Sequence, residues 1–292
     1  MMMRYNCQSA VGTIESILLK HPKNVFKSQG YIDKSWESMN YLGPPDFEKT
    51  LREYEEFLTV IEGEVPEVFF LPEDKGTGLD SIYVHDPFLV TQRGAILCNM
   101  GKKERQGEPA AAGKYLKHVG VPILGEITGE GRLEGGDVVW LDERTMAVGL
   151  GYRSNQEAVR QLRQMSKGLF DIIEVHLPHW TGEADCLHLM SILSLVDKDL
   201  AVVYSPLMSV PFRQLLLLRG IKFIEVSQEE YDNLACNVLP LAPRRCLVMA
   251  GNPRIRRALE NEGVEVFEYP GENLSLKGCG GPTCLTRPIY RR

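Results

Sequence analysis

The chain has 292 residues, 43% of them hydrophobic and 25% charged, with a formal net charge of −6. Such a composition supports a buried core in one large domain or two. The acidic balance argues against a nucleic-acid partner, which needs a basic face, and leaves a small cationic substrate open. No apolar run approaches the length of a membrane span, and the opening MMMRYNCQSAVGTIESILLKHP has no long apolar core of the signal-peptide kind. The seven cysteines are odd in number and irregularly spaced, with no CxxC pair and no Cys/His quartet. Free thiols in a reducing cytoplasm, without a bound metal, are therefore expected.

Taken in order, the chain opens on an apolar strand pattern over Gly12 to Leu19. Lys23 to Gly43 is polar and aromatic without a clear period and reads as a lid. From Phe47 a cadence sets in, in which an amphipathic helix ends at a glycine and a short β-rich strand follows. Phe47 to Ile61 leads through Gly63 to Val68–Leu71, and Glu108 to Val119 through Gly120 to Val121–Leu124. Asn155 to Lys167 leads through Gly168 to Asp171–Val175, and Val210 to Arg219 through Gly220 to Ile221–Val226. Pro253 to Glu262 leads through Gly263 to Val264–Phe267. Glycine suits the residue after a helix because it accepts the left-handed conformation.

Hairpin-like apolar pairs lie between these units. They are Pro87–Val90 with Ala95–Cys98, Asp137–Leu141 with Thr145–Val148, His188–Leu195 with Leu200–Tyr204, and Asn237–Leu241 with Cys246–Met249. A fifth pair would join the two chain regions Gly12–Leu19 and Cys284–Tyr290. The result is five hairpin–helix–strand units at a period of roughly 50 residues. Since the end segments are apolar and share one unit, a closed ring of the five units is expected. A doubly wound sheet is the alternative. No composition shift marks a linker, so residues 1–292 are expected to form a single domain.

The polar residues of interest fall where the hairpins begin. They are Asp80 and Asp86 in LDSIYVHDPF, Glu134 and Asp137 in LEGGDVVW, His188 in DCLHLM and Cys284 in GCGGPTCLT. Each has an ordinary reading: Asp86 before Pro87 shapes a turn, His188 sits on an apolar strand as a core histidine, and a lone cysteine behaves as a small hydrophobe. In a ring, however, all of them face one centre. A thiol, an imidazole and several carboxylates together suit nucleophilic attack on a cation.

The stretch LEGGDVVWLDERTMAVGLGYRSNQ resembles the central signature of the guanidino-group modifying superfamily, which includes dimethylarginine dimethylaminohydrolases, arginine deiminases and arginine–glycine amidinotransferases. The likeness is to the dimethylargininase branch, from about Leu71 to Asn155 and again around His188 and Cys284. It implies a five-bladed α/β propeller and a hydrolase acting on a small guanidino substrate, with no cofactor, metal, nucleic-acid or membrane partner. It leaves a homodimer open.

By the same resemblance, Cys284 is the nucleophile, forming a covalent thiouronium on the way from an N-methylated arginine to citrulline. His188 is the acid and base, and Glu134 binds substrate nitrogens near it. Asp80 and Asp86 hold the substrate's cationic groups, while Arg105 and Arg153 clamp its α-carboxylate. Three positions depart from the family pattern and bear on the substrate. His85 replaces an acid beside Asp86, Met190 replaces a guanidinium-binding Asp, and Cys279 replaces an acid near the substrate amine. The alternatives are an arginine deiminase or dihydrolase, an amidinotransferase and, in another class, a non-catalytic guanidine-binding protein.

Overall fold

The computed structural model describes residues 3–292. It is a mixed α/β fold with five separate three-stranded sheets. In each, the middle strand pairs antiparallel with one neighbour and parallel with the other. A parallel pair needs a crossover, and one helix supplies it in every unit. These are Phe47–Glu64, Glu108–His118, Gln156–Ser166, Val210–Leu218 and Pro253–Asn261. With no continuous sheet among the described residues, the doubly wound alternative is excluded.

The sheet that holds both chain ends has Arg287–Arg291 antiparallel to Ile14–Leu19, which in turn runs parallel to Glu67–Phe70. The expected hairpins form as Phe88–Thr91 with Gly94–Leu97, Val138–Asp142 with Thr145–Leu150, Leu193–Asp197 with Leu200–Val203, and Leu239–Ala242 with Arg245–Met249. The buried faces of these strands form four apolar clusters that pack the helices against the sheets.

Helix ends follow the chemistry of the sequence, with one exception. Asp46 and Asn155 cap their helices by accepting from Lys49 N and Ala158 N. Gly120, Gly168, Gly220 and Gly263 have left-handed φ, as a helix-ending glycine should. Gly63 does not stop its helix, which runs on to Glu64. Two further expectations change. His188 is not on a strand but immediately precedes a 3-10 turn, Leu189–Ser191. The 23–43 segment contains a short helix, Gln29–Ser35, whose single inward residue Ile32 is too little to show a period. Its far end is tied down where Lys102 Nζ donates to Met39 O and Leu42 N donates to Lys277 O.

Candidate active site

The starts of the hairpins converge. Asp86 accepts through its backbone carbonyl from Gly135 N, and His85 N donates to Cys284 O at 3.2 Å, so three units are stitched together at backbone level. Cys284 lies in the turn just before Arg287–Arg291. The preceding glycines allow side chains to crowd that turn. A Cβ on Gly280 would collide with the ring of Tyr83 and, in the separate turn after Glu134, one on Gly136 would collide with the ring of His188. Asn237 orients the turn by accepting from Thr283 N through Oδ1 and placing Nδ2 3.1 Å from Cys284 Sγ. Burial pushes the Cys284 thiol up to about 12, with nearby Asp86 and Cys186 acting in the same direction against Asn237 and His188.

His188 Nε2 lies 2.7 Å from Glu134 Oε2. Burial opposes a charge on this imidazole, but Cys186, Asp137 and Asp86 outweigh it and hold its pKa well above the ordinary value. Burial likewise raises the Glu134 carboxyl, and His188 and Arg153 more than offset that, bringing it down to about 2. The two therefore form an imidazolium–carboxylate pair. Glu134 Oε1 accepts from Lys102 N, and Oε2 faces His188 and, at 3.5 Å, Arg153. Glu134 thus stands directly against His188.

Asp86 lines the cavity and accepts from Gly136 N and, at 2.6 Å, from Arg105 Nη1. Burial raises its pKa, yet Arg105 and His188 hold it below the usual carboxylate range. Arg105 differs from expectation. Its Nε and Nη2 donate to Glu108, Nη2 also donates to Tyr83 O, and Nη1 is on Asp86. This guanidinium anchors Asp86 from the wall of the cavity. Arg153 is the arginine left with only long contacts, 3.5 Å to Glu134 and 3.3 Å to Asp185 O. His85 also has partners within the protein: its Nδ1 is 2.9 Å from Thr286 O and its Nε2 accepts from Arg287 Nη1. Asp80 is also occupied, by Lys102 Nζ at 2.6 Å.

Two cavities of about 260 and 210 Å³ share the walls made by Cys284, His188, Cys186 and Cys279. Asp80, Asp86, Arg105 and Arg153 line the first, with Met39 and Leu42 of the 23–43 segment at its edge. Cys279 has left-handed φ and a thiol pushed up to about 12 by burial. One ligand-type atom from each of Asp86, Glu134 and His188 lies within 4.8 Å of the others. Of these carboxylates Glu134 is paired with His188, while Asp86 lines the cavity as well as holding Arg105.

Lys102, Asn237, Asp185 and Cys186 were not among the residues singled out by the sequence, yet all four shape the site. Asn237 had a legible signal, since it begins the one hairpin to which no functional residue was assigned. Lys102 stands three residues before Arg105 in GKKERQ but has no feature of its own that marks it.

A family model described as N,N dimethylarginine dimethylhydrolase, eukaryotic, matches residues 34–291. An uncharacterized protein of Aeropyrum pernix is 32% identical over 214 residues, which cover 72% of this chain and 73% of that protein. The N(G),N(G)-dimethylarginine dimethylaminohydrolase of Pseudomonas aeruginosa is 26% identical over 251 residues, covering 85% and 91%. Its serine-for-cysteine variant complexed with citrulline superposes with a TM-score of 0.75 at 23% identity, covering 94% and 98% of the two chains. The N-terminal domain of ArgZ, a cyanobacterial arginine dihydrolase, superposes with a TM-score of 0.79 at 20% identity and the same coverage. Fold and relatives together define a hydrolase of C–N bonds in amidines. The chain belongs to the dimethylarginine dimethylaminohydrolase family, within the guanidino-group modifying superfamily.

Proposed function

We propose that this chain hydrolyses an N-substituted guanidine of the methylarginine type to a ureido product and an amine through a covalent intermediate on Cys284. The observation that carries the reading is a single cavity walled by Cys284, His188 and Asp86, with Glu134 directly behind His188. The guanidinium docks against Asp86, whose charge Arg105 preserves in a buried setting. Its positive charge lowers the pKa of the neighbouring thiol, which is protonated when the cavity is empty, and the thiol proton leaves to solvent because His188 is already charged. The Cys284 thiolate adds to the guanidinium carbon. The tetrahedral adduct collapses as the His188 imidazolium protonates the departing amine, leaving a thiouronium. Neutral His188 then takes a proton from water, whose oxygen adds to the same carbon, and collapse releases the ureido product and the thiolate. Glu134 holds the imidazole and favours its charged form. Arg153 takes the substrate carboxylate.

The five sheets, with both chain ends in one of them, support a ring of five blades and one domain over residues 1–292. The seven free cysteines support a reducing compartment.

The test is quenched-turnover mass spectrometry on arginine, monomethylarginine and asymmetric dimethylarginine, for the unaltered protein and Cys284→Ser. A mass increment on Cys284 with citrulline and a methylamine is expected, and the variant should lose turnover while retaining binding. Near-normal turnover by Cys284→Ser overturns the mechanism. Ammonia from arginine, with no reaction of the methylated compounds, moves the reading to an arginine deiminase or dihydrolase.

A further inference from the structure

Another cavity of about 50 Å³ shares His85, Met190 and Thr283 with the wall of the Cys284 cavity. Its walls are largely apolar and include Leu89, Val139, Leu193 and Leu239. Two arginines nevertheless line it, Arg287 and Arg291, each only 6% exposed. Among the described residues no carboxylate pairs with either. Arg287 donates to Phe88 O through Nε and Nη2, and to His85 Nε2 through Nη1 at 3.1 Å. Arg291 Nη1 donates to Gly12 O at 2.5 Å, and its other neighbour is the Cys7 thiol. Burial lowers the pKa of both arginines, but a guanidinium does not give up its proton in a protein. Asp86 is the carboxylate that acts on Arg287, and it is already paired with Arg105; two buried positive charges without an ion-pair partner of their own are costly in an apolar surrounding.

We propose that this cavity binds one small monovalent anion, of halide or nitrate size, between Arg287 and Arg291. The volume is several times what one water needs, and it is too small for a sugar acid or a nucleotide phosphate. The apolar walls favour a weakly hydrated anion over a strongly hydrated one. Arg291 and Ser9 also line a second cavity, which holds Arg144, Lys198 and Arg292 against one acidic side chain, Glu143. Such a predominantly basic lining concentrates anions. The bound anion would sit behind the turn that carries Cys284, because His85 links Arg287 to Cys284 O and Thr286 O.

The test is the thermal midpoint of the full chain at constant ionic strength as gluconate, which is too large for the cavity, is replaced by chloride or bromide. A saturable rise is expected, with the folding equilibrium favoured about 100-fold when the anion is at 100 times its Kd. Arg291→Met should abolish the saturable part, and Cys7→Ser should keep it. Equal midpoints in bromide and gluconate, or an undiminished rise in Arg291→Met, overturn the proposal. If Arg291→Met does not fold, anomalous diffraction from crystals of the unaltered protein in bromide decides. A peak between the two guanidiniums supports the site, and its absence overturns it.

Discussion

Arg105 and Arg153 look alike as cationic candidates but stand in different surroundings, and their substitutions should separate accordingly. Arg105→Met leaves Asp86 and Glu108 buried without their cation. It should cost about 3–5 kcal/mol of stability, the range for breaking a buried ion pair, as measured by denaturant unfolding. Arg153 has only long contacts to its neighbours. Arg153→Ala should therefore leave the unfolding midpoint nearly unchanged and raise KM for substrates bearing a carboxylate, compared with a matched guanidine lacking one. Equal losses on the two substrates would remove the carboxylate role from Arg153. Cys284 offers a pH test. Burial raises its thiol from 9.0 to about 12. The stability that depends on keeping it protonated is complete below 9.0 and is lost as pH rises through the folded value. Iodoacetamide labelling at Cys284, mapped by mass spectrometry, should still be accelerating at pH 10 in the empty protein. A plateau near neutrality would show that the thiolate forms without substrate.

The repeated element is a helix that hands over to a strand, and glycine plays two opposite parts in it. Gly168 ends its helix with φ +81 and open space around it, so added bulk meets no clash but the backbone conformation disfavours a side chain. Gly168→Ala should destabilise by about 1–2 kcal/mol. Gly63 lies inside its helix, exposed, with nothing near the added carbon. Gly63→Ala should stabilise by about 0.5–1 kcal/mol, because glycine is the poorer helix former. Thermal unfolding of the two variants tests the contrast, and shifts of the same sign would contradict it. The 23–43 segment shows a different limit of pattern reading. Its fold rests on a few inward side chains and on hydrogen bonds to Lys102 and Lys277, which are far away in the chain.

At the scale of the molecule, the chain ends meet in one sheet, where Arg287–Arg291 pairs with Ile14–Leu19 and carries the fully buried Ile289. Removing residues 287–292 withdraws that strand and unsupports the turn of Cys284. Loss of cooperative unfolding is expected in circular dichroism, whereas an unchanged midpoint would mean that closure contributes little. Among the described residues no helix is long and apolar enough to cross a membrane. The five helix–strand units, four of the hairpins and the pairing of the chain ends were legible from local patterns, because helix period, strand alternation and turn glycines are properties of neighbouring residues. The candidate residues Cys284, His188, Asp86 and Glu134 were legible because hairpin starts of a repeat converge. What those side chains are free to do was not legible. Glu108 and Asp86 already occupy Arg105, Lys102 occupies Asp80, and Arg287 and Thr286 O occupy His85. Apart from the nearby Glu108, these partners come from other turns or units, so only tertiary packing decides which charges are spent within the protein and which remain for a substrate.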